Sequence, residues 1–150
     1  MEEKIFHRIL VPTDFSSQSE RAWATARRLA RAVDAEMVLL HVFAETPLYS
    51  EIPLSSERVR EAYAAARTWA ADQLDQWAAT ARAEGIDVKT LLRTGVPHEE
   101  IAATARDEGA DLIAMGTHGR GGLNRLVLGS VCDRVIRLSP GPVLAVREPD

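Results

Sequence analysis

The chain has 150 residues, of which 46% are hydrophobic and 27% charged, with a formal net charge of −4. That length predicts one domain over residues 1–150 with a core of its own, and the composition excludes a disordered chain, while the negative balance argues against a nucleic-acid-binding surface. The purely apolar stretches are only strand-sized, such as Met37 to Leu40, and the acidic start Met-Glu-Glu-Lys is unlike a signal peptide, so no membrane span and a cytoplasmic location are expected.

Taken in order, Ile5 to Pro12 (IFHRILVP) is an apolar run closed by proline and predicts a buried strand, with a turn at Thr13 to Ser16. Ser17-Gln-Ser-Glu20 has the capping-box form, and Ala22, Ala26, Leu29, Ala30 and Val33 follow at helical spacing to an end near Asp34. Glu36 to Phe43 is a second buried strand, and 44 to 56, with two prolines, predicts a long loop. The alanine-rich stretch from Glu57 to Glu84 predicts a long helix stopped by Gly85 in a left-handed cap. Ile86 to Arg93 is a third strand. Pro97 suits a first helical position, and Gly109 ends that helix. Asp111 to Met115 is a fourth strand, Val131 to Leu138 a helix, and Pro142 to Val146 a fifth strand. The lone cysteine, Cys132, reads as a small buried residue of that helix, with no internal disulfide partner.

Strict alternation of strand and helix, with strands apolar on both faces, predicts an α/β fold: a doubly wound, five-stranded parallel sheet with helices on both faces, Rossmann-like, for which the strand order 3-2-1-4-5 is adopted as the expectation. Ligands of such sheets bind beyond the carboxyl ends of the strands where the order reverses, here between the first and fourth. The segment GTHGRGGLNRLVLGS, residues 116 to 130, follows the fourth strand and holds five of the nine glycines. Gly116 and Gly119 free the backbone to approach a sugar or phosphate. Gly129-Ser130 opens a helix whose amides and dipole favour an anion, and Ser130 with Asp133 has the capping-box form. On spacing alone, a phosphate cradle and a tight strand-to-helix turn are both open readings.

Gly116-x2-Gly119-x9-Gly129-Ser130 resembles the G-x2-G-x9-G-[S/T] motif of the ATP-binding universal stress proteins. HRILVPTDFS, LLHV, TGVPHEEI, DLIAMGTHGRGG and PVLAVR extend the resemblance over the whole chain. The resemblance implies that Pro12, Thr13 and Asp14 hold the adenosine, with the Asp14 carboxylate near ribose or base, and that Val42 meets the adenine edge through its backbone. By the same resemblance Met115 and Gly116 lie against the ribose, Gly119, Gly129, Ser130 and Val131 contact the phosphates, and Mg or Mn rides on the phosphates of ATP. Asp14 also reads as a turn or cap carboxylate.

His118 reads as a loop side chain or a phosphate contact, and His41 as a satisfied core residue. His7 and His98 take strand-edge and helix-start positions, and no pair has the spacing of a helical zinc site. Trp23, Trp69 and Trp77 read as packing. The chain lacks the G-x4-G-K-[S/T] motif whose lysine bridges phosphates in P-loop enzymes; Arg120 and Arg125 could neutralise charge, but no positioned base is visible. The expectation is a nucleotide-dependent regulatory module of a stress response with at most slow ATP hydrolysis and no catalytic residues. The rival readings are a dimeric interaction protein independent of nucleotide and a weak ATP-hydrolysing or phosphotransfer enzyme. The last strand, 142–147, would be an apolar sheet edge that pairs with a second copy in a homodimer, as the resemblance also implies. Gly129→Val is expected to block phosphate while leaving the fold intact.

Overall fold

A computed structural model of the chain describes residues 3–44, 57–118 and 128–148. The short apolar runs form five strands: β1 (Arg8–Pro12), β2 (Glu36–Ala44), β3 (Val88–Gly95), β4 (Leu112–Gly116) and β5 (Val143–Val146). Between them lie the helices α1 (Ser17–Val33), α2 (Glu57–Ala83), α3 (Pro97–Glu108) and α4 (Ser130–Leu138). All pairings are parallel, as the alternation predicts, and the order is β3-β2-β1-β4-β5, the one expected.

Successive strand side chains point to opposite faces, and both faces are covered. Ile9, Val11, Met37, Leu39 and Ala114 pack against Trp23, Ala26 and Ala30 of α1 and Leu74, Ala78 and Ala81 of α2. Leu10, Val38, Leu40, Ile113 and Met115 pack against Ile101 and Ala105 of α3 and Cys132 and Val135 of α4. Each large aliphatic side chain so buried contributes about 1.5–3 kcal/mol. The alanines on α1 and α2 set both helices close to the sheet, and Trp23, 2% exposed, fills the space between them. Among the described residues no helix is long and apolar enough to cross a membrane.

The structure moves several element boundaries, for reasons that lie in pairing. β1 begins at Arg8, where its register with Glu36 of β2 begins, and Ile5, expected inside the strand, is 74% exposed. β3 is displaced toward its carboxyl end, running to Gly95 because β2 offers pairing as far as Ala44. The amino end of the sheet is closed by Asp111, whose carboxylate accepts the N–H groups of His7 (2.8 Å) and Arg8 (3.0 Å). Partial burial raises the Asp111 pKa, but these donors outweigh it and hold the carboxyl below its ordinary value. Asp34, Gly85 and Gly109 adopt the left-handed conformation expected of helix stops.

Candidate functional site

The carboxyl ends of β1 and β4 lie side by side, since Ile9 pairs with Leu112 and Leu10 with Ile113. At this reversal of strand order the chain leaves β1 toward α1 on one face of the sheet and reaches α4 on the other. The structure therefore brings Pro12, Thr13 and Asp14 beside Met115 and Gly116, with Gly129, Ser130 and Val131 at the start of α4. Gly119, Arg120, Arg125 and most of the loop 44–56 lie outside the described residues.

The turn after β1 is held at every residue. Thr13, 5% exposed, donates its N–H to the Leu40 carbonyl (2.8 Å), and its own carbonyl accepts from His41 Nδ1 (2.7 Å). Since a carbonyl only accepts, Nδ1 must carry the proton, which makes His41 a tie from β2 to this turn. Asp14 Oδ1 accepts the Ser16 N–H (3.0 Å) and the Ser19 hydroxyl (2.6 Å). Phe15 has a φ of 64°, unusual for a bulky residue. Its N–H donates to Thr13 Oγ1 (2.9 Å), and its ring lies against His41 and the edges of Trp69 and Trp77 at centroid distances of 4.7, 5.3 and 5.6 Å. These contacts hold the strained backbone. Trp23, Trp77 and Phe15 thus serve packing, while Trp69 is 49% exposed at the border of this aromatic cluster.

Both predicted capping boxes are corrected. The N-cap of α1 is Ser16, whose Oγ accepts the Ser19 N–H (3.2 Å), so Ser17 is already helical. Asp14, two residues upstream, draws the Ser16 N–H and the Ser19 hydroxyl together and sets the helix start one residue early. The sequence D-x-S-x-x-S carried that signal. The N-cap of α4 is Gly129, without a side-chain hydrogen bond, and Ser130 is the first helical residue. Asp133 turns its carboxylate to Arg137 (3.4 Å) instead of back to the helix start. With a glycine cap, the first-turn amides of α4 receive no side-chain oxygen there, a geometry that suits an anion.

Two motif glycines have a role before any ligand is considered. A Cβ on Gly129 would stand 2.5 Å from the Thr117 carbonyl oxygen, which accepts the Gly129 N–H at 2.7 Å. A Cβ on Gly116 would lie 3.3 Å from the backbone of Gln18 in α1. The expectation that Gly129→Val spares the fold is therefore corrected, because the clash is with the protein's own main chain.

Met115 is 6% exposed, its side chain in the α3/α4 layer, so contact with a ribose at this position falls to main chain. Val42 is half-buried near the end of β2, packed on the same layer. Ser130 is exposed and Val131 half-buried. His118 is half-buried rather than a solvated loop side chain, with Nδ1 3.1 Å from Thr117 Oγ1 and its N–H on Gln18 Oε1 at 2.9 Å. Among the described residues, no three His, Cys, Asp or Glu side chains gather to hold a metal ion. Gln18, which ties α1 to the chain after β4, and His41, which ties β2 to the turn after β1, have side-chain roles that local periodicity does not reveal.

Residues 5–147 match the Universal stress protein family. The chain is 35% identical over 152 residues to universal stress protein MJ0531 of Methanocaldococcus jannaschii, covering 98% of this chain and 85% of that one. The solved structure of MJ0577, a universal stress protein of the same organism, superimposes with a TM-score of 0.85 at 35% identity, covering 97% of this chain and 99% of that one. A universal stress protein solved in complex with cAMP gives a TM-score of 0.66 at 25% identity, with 95% and 97% covered.

Proposed function

Because the chain belongs to the universal stress protein family, we propose that it is a single cytoplasmic domain over residues 1–150 that binds ATP at the carboxyl ends of β1 and β4. In this reading it acts as a nucleotide-dependent regulatory module of a stress response. The observation that carries the reading is the convergence, at one reversal of strand order, of the rigid Thr13-Asp14 turn and the glycine-capped start of α4. The nucleoside would lie along Pro12, Thr13, Asp14, Val42, Met115 and Gly116, and the phosphates along Gly119, Gly129, Ser130 and Val131. The relative solved with cAMP supports an adenine nucleotide as the ligand class. A Mg or Mn ion would ride on the phosphate oxygens of bound ATP.

The test is the melting temperature of protein stripped of nucleotide, with magnesium plus ATP, AMP or cyclic AMP. Ligand at a hundred times its Kd adds about 2.7 kcal/mol, an expected rise of about 5 to 10 °C. A rise with ATP that exceeds that with AMP places the terminal phosphates in the site. No rise with any nucleotide at saturation leaves the chain as a dimeric interaction protein. Release of inorganic phosphate on prolonged incubation with ATP would identify slow hydrolysis.

The proposed second partner is another copy of the chain, through β5 and residues 142–147. β5 is a sheet edge, and Leu144 on it and Ile136 and Leu138 on α4 are 37, 45 and 45% exposed. An exposed apolar edge invites pairing. Light scattering is expected to give twice the chain mass for the wild type and the single mass for a Leu144→Glu, Ile136→Glu variant. A dimeric double variant moves the interface elsewhere; a monomeric wild type removes it.

A further inference from the structure

The backbone from Gly116 to His118, from which the chain continues into the glycine segment, is supported from three sides. Thr117 donates its N–H to the Val146 carbonyl of β5 (3.2 Å), and its carbonyl accepts from Gly129 at the cap of α4 (2.7 Å). The third support comes from α1. Gln18 Oε1 accepts the His118 N–H at 2.9 Å, across 100 residues of chain. A backbone N–H can only donate, so the oxygen of the Gln18 amide must face it. The glycine at 116 permits this contact, because its missing Cβ is what lets the Gln18 backbone come so close to β4.

We propose that Gln18 is a positioning residue for the phosphate end of the nucleotide site, holding the His118 amide in place from the first turn of α1. The inference rests on the nucleotide reading given above. That same first turn carries Ser16 and Ser19, which fasten Asp14. Gln18 therefore joins the nucleoside side of the crevice to the phosphate side through one rigid helix end. Its role is specific to ligands that reach the phosphate side: adenosine, which stops short of it, does not use the latch.

The experiment uses Gln18→Met, close in length but without the carbonyl, and Gln18→Glu, which keeps an acceptor oxygen. In nucleotide-free protein, NMR amide exchange at His118 is expected to be about 3- to 10-fold faster in Gln18→Met, the worth of one neutral hydrogen bond, and near wild type in Gln18→Glu. Titration of Gln18→Met is expected to show ATP affinity reduced by about the same factor, with adenosine affinity unchanged. Unaltered exchange at His118, or equal loss for ATP and adenosine, overturns the proposal. If the wild type binds neither ligand, the nucleotide reading falls and the positioning role with it, while the exchange result still decides whether the latch exists.

Discussion

Gly129→Ala is expected to lower the melting temperature of the nucleotide-free protein by about 3 to 10 °C and to abolish the further rise that ATP gives. A single methyl is enough, since its carbon would sit 2.5 Å from the Thr117 carbonyl oxygen, well inside contact distance. The obstacle is main chain on a strand end tied to β5 through Thr117, and it cannot swing aside as a flexible side chain would. Relief requires α4 to back away from β4, at an overpacking cost of about 1–3 kcal/mol. That movement also displaces the amides of the first turn of α4, which the proposed function assigns to phosphate. Thermal melts with and without ATP check both parts. An unchanged melting temperature contradicts the close approach, and a lower one with the ATP rise intact reduces Gly129 to packing.

Asp14→Ala carries the second large effect, because this carboxylate caps α1 and, in the proposed nucleotide reading, also meets the ribose, so one substitution would remove both contacts. Oδ1 holds the Ser16 N–H and the Ser19 hydroxyl, so alanine frees the start of α1 at a cost of about 1–2 kcal/mol. A charged hydrogen bond to a ribose hydroxyl is worth about 1.5–3 kcal/mol, or about 10- to 100-fold in nucleoside affinity. Asp14→Asn separates the duties, because the cap needs one acceptor oxygen whereas the charged contact needs the carboxylate. Its expected outcome is a melting temperature close to wild type with adenosine affinity still reduced, by calorimetric titration. An Asn variant that binds adenosine as the wild type does, beside an Ala variant that is merely less stable, makes Asp14 a cap alone.

The distinction between these variants follows the line between local and distant information. Strand and helix identity is local: apolar runs bounded by proline and glycine, and apolar residues at helical spacing, encode all five strands and four helices, whereas the order in which the strands lie is set by pairing between distant segments. The stops at Gly85 and Gly109 are equally local, for each depends on the φ of one residue. The location of the candidate site follows once the strand order is known, because the glycines come after the fourth strand.

What the tertiary structure decided is how those glycines and carboxylates are used. Gly129 is short of space because Thr117, twelve residues earlier, is pinned by β5, and no spacing rule contains that distance. α4 therefore begins one residue before its expected start, with a bare glycine cap, and Asp133 goes to Arg137. Gln18 stands in the sequence only as part of a capping stretch and His41 reads as a core residue, yet each closes a hydrogen bond on a backbone brought to it by the sheet. Periodicity records which face of an element is apolar. It carries nothing about which main-chain atom a distant strand will deliver within 3 Å, and a site built from such deliveries becomes visible only when the sheet is assembled.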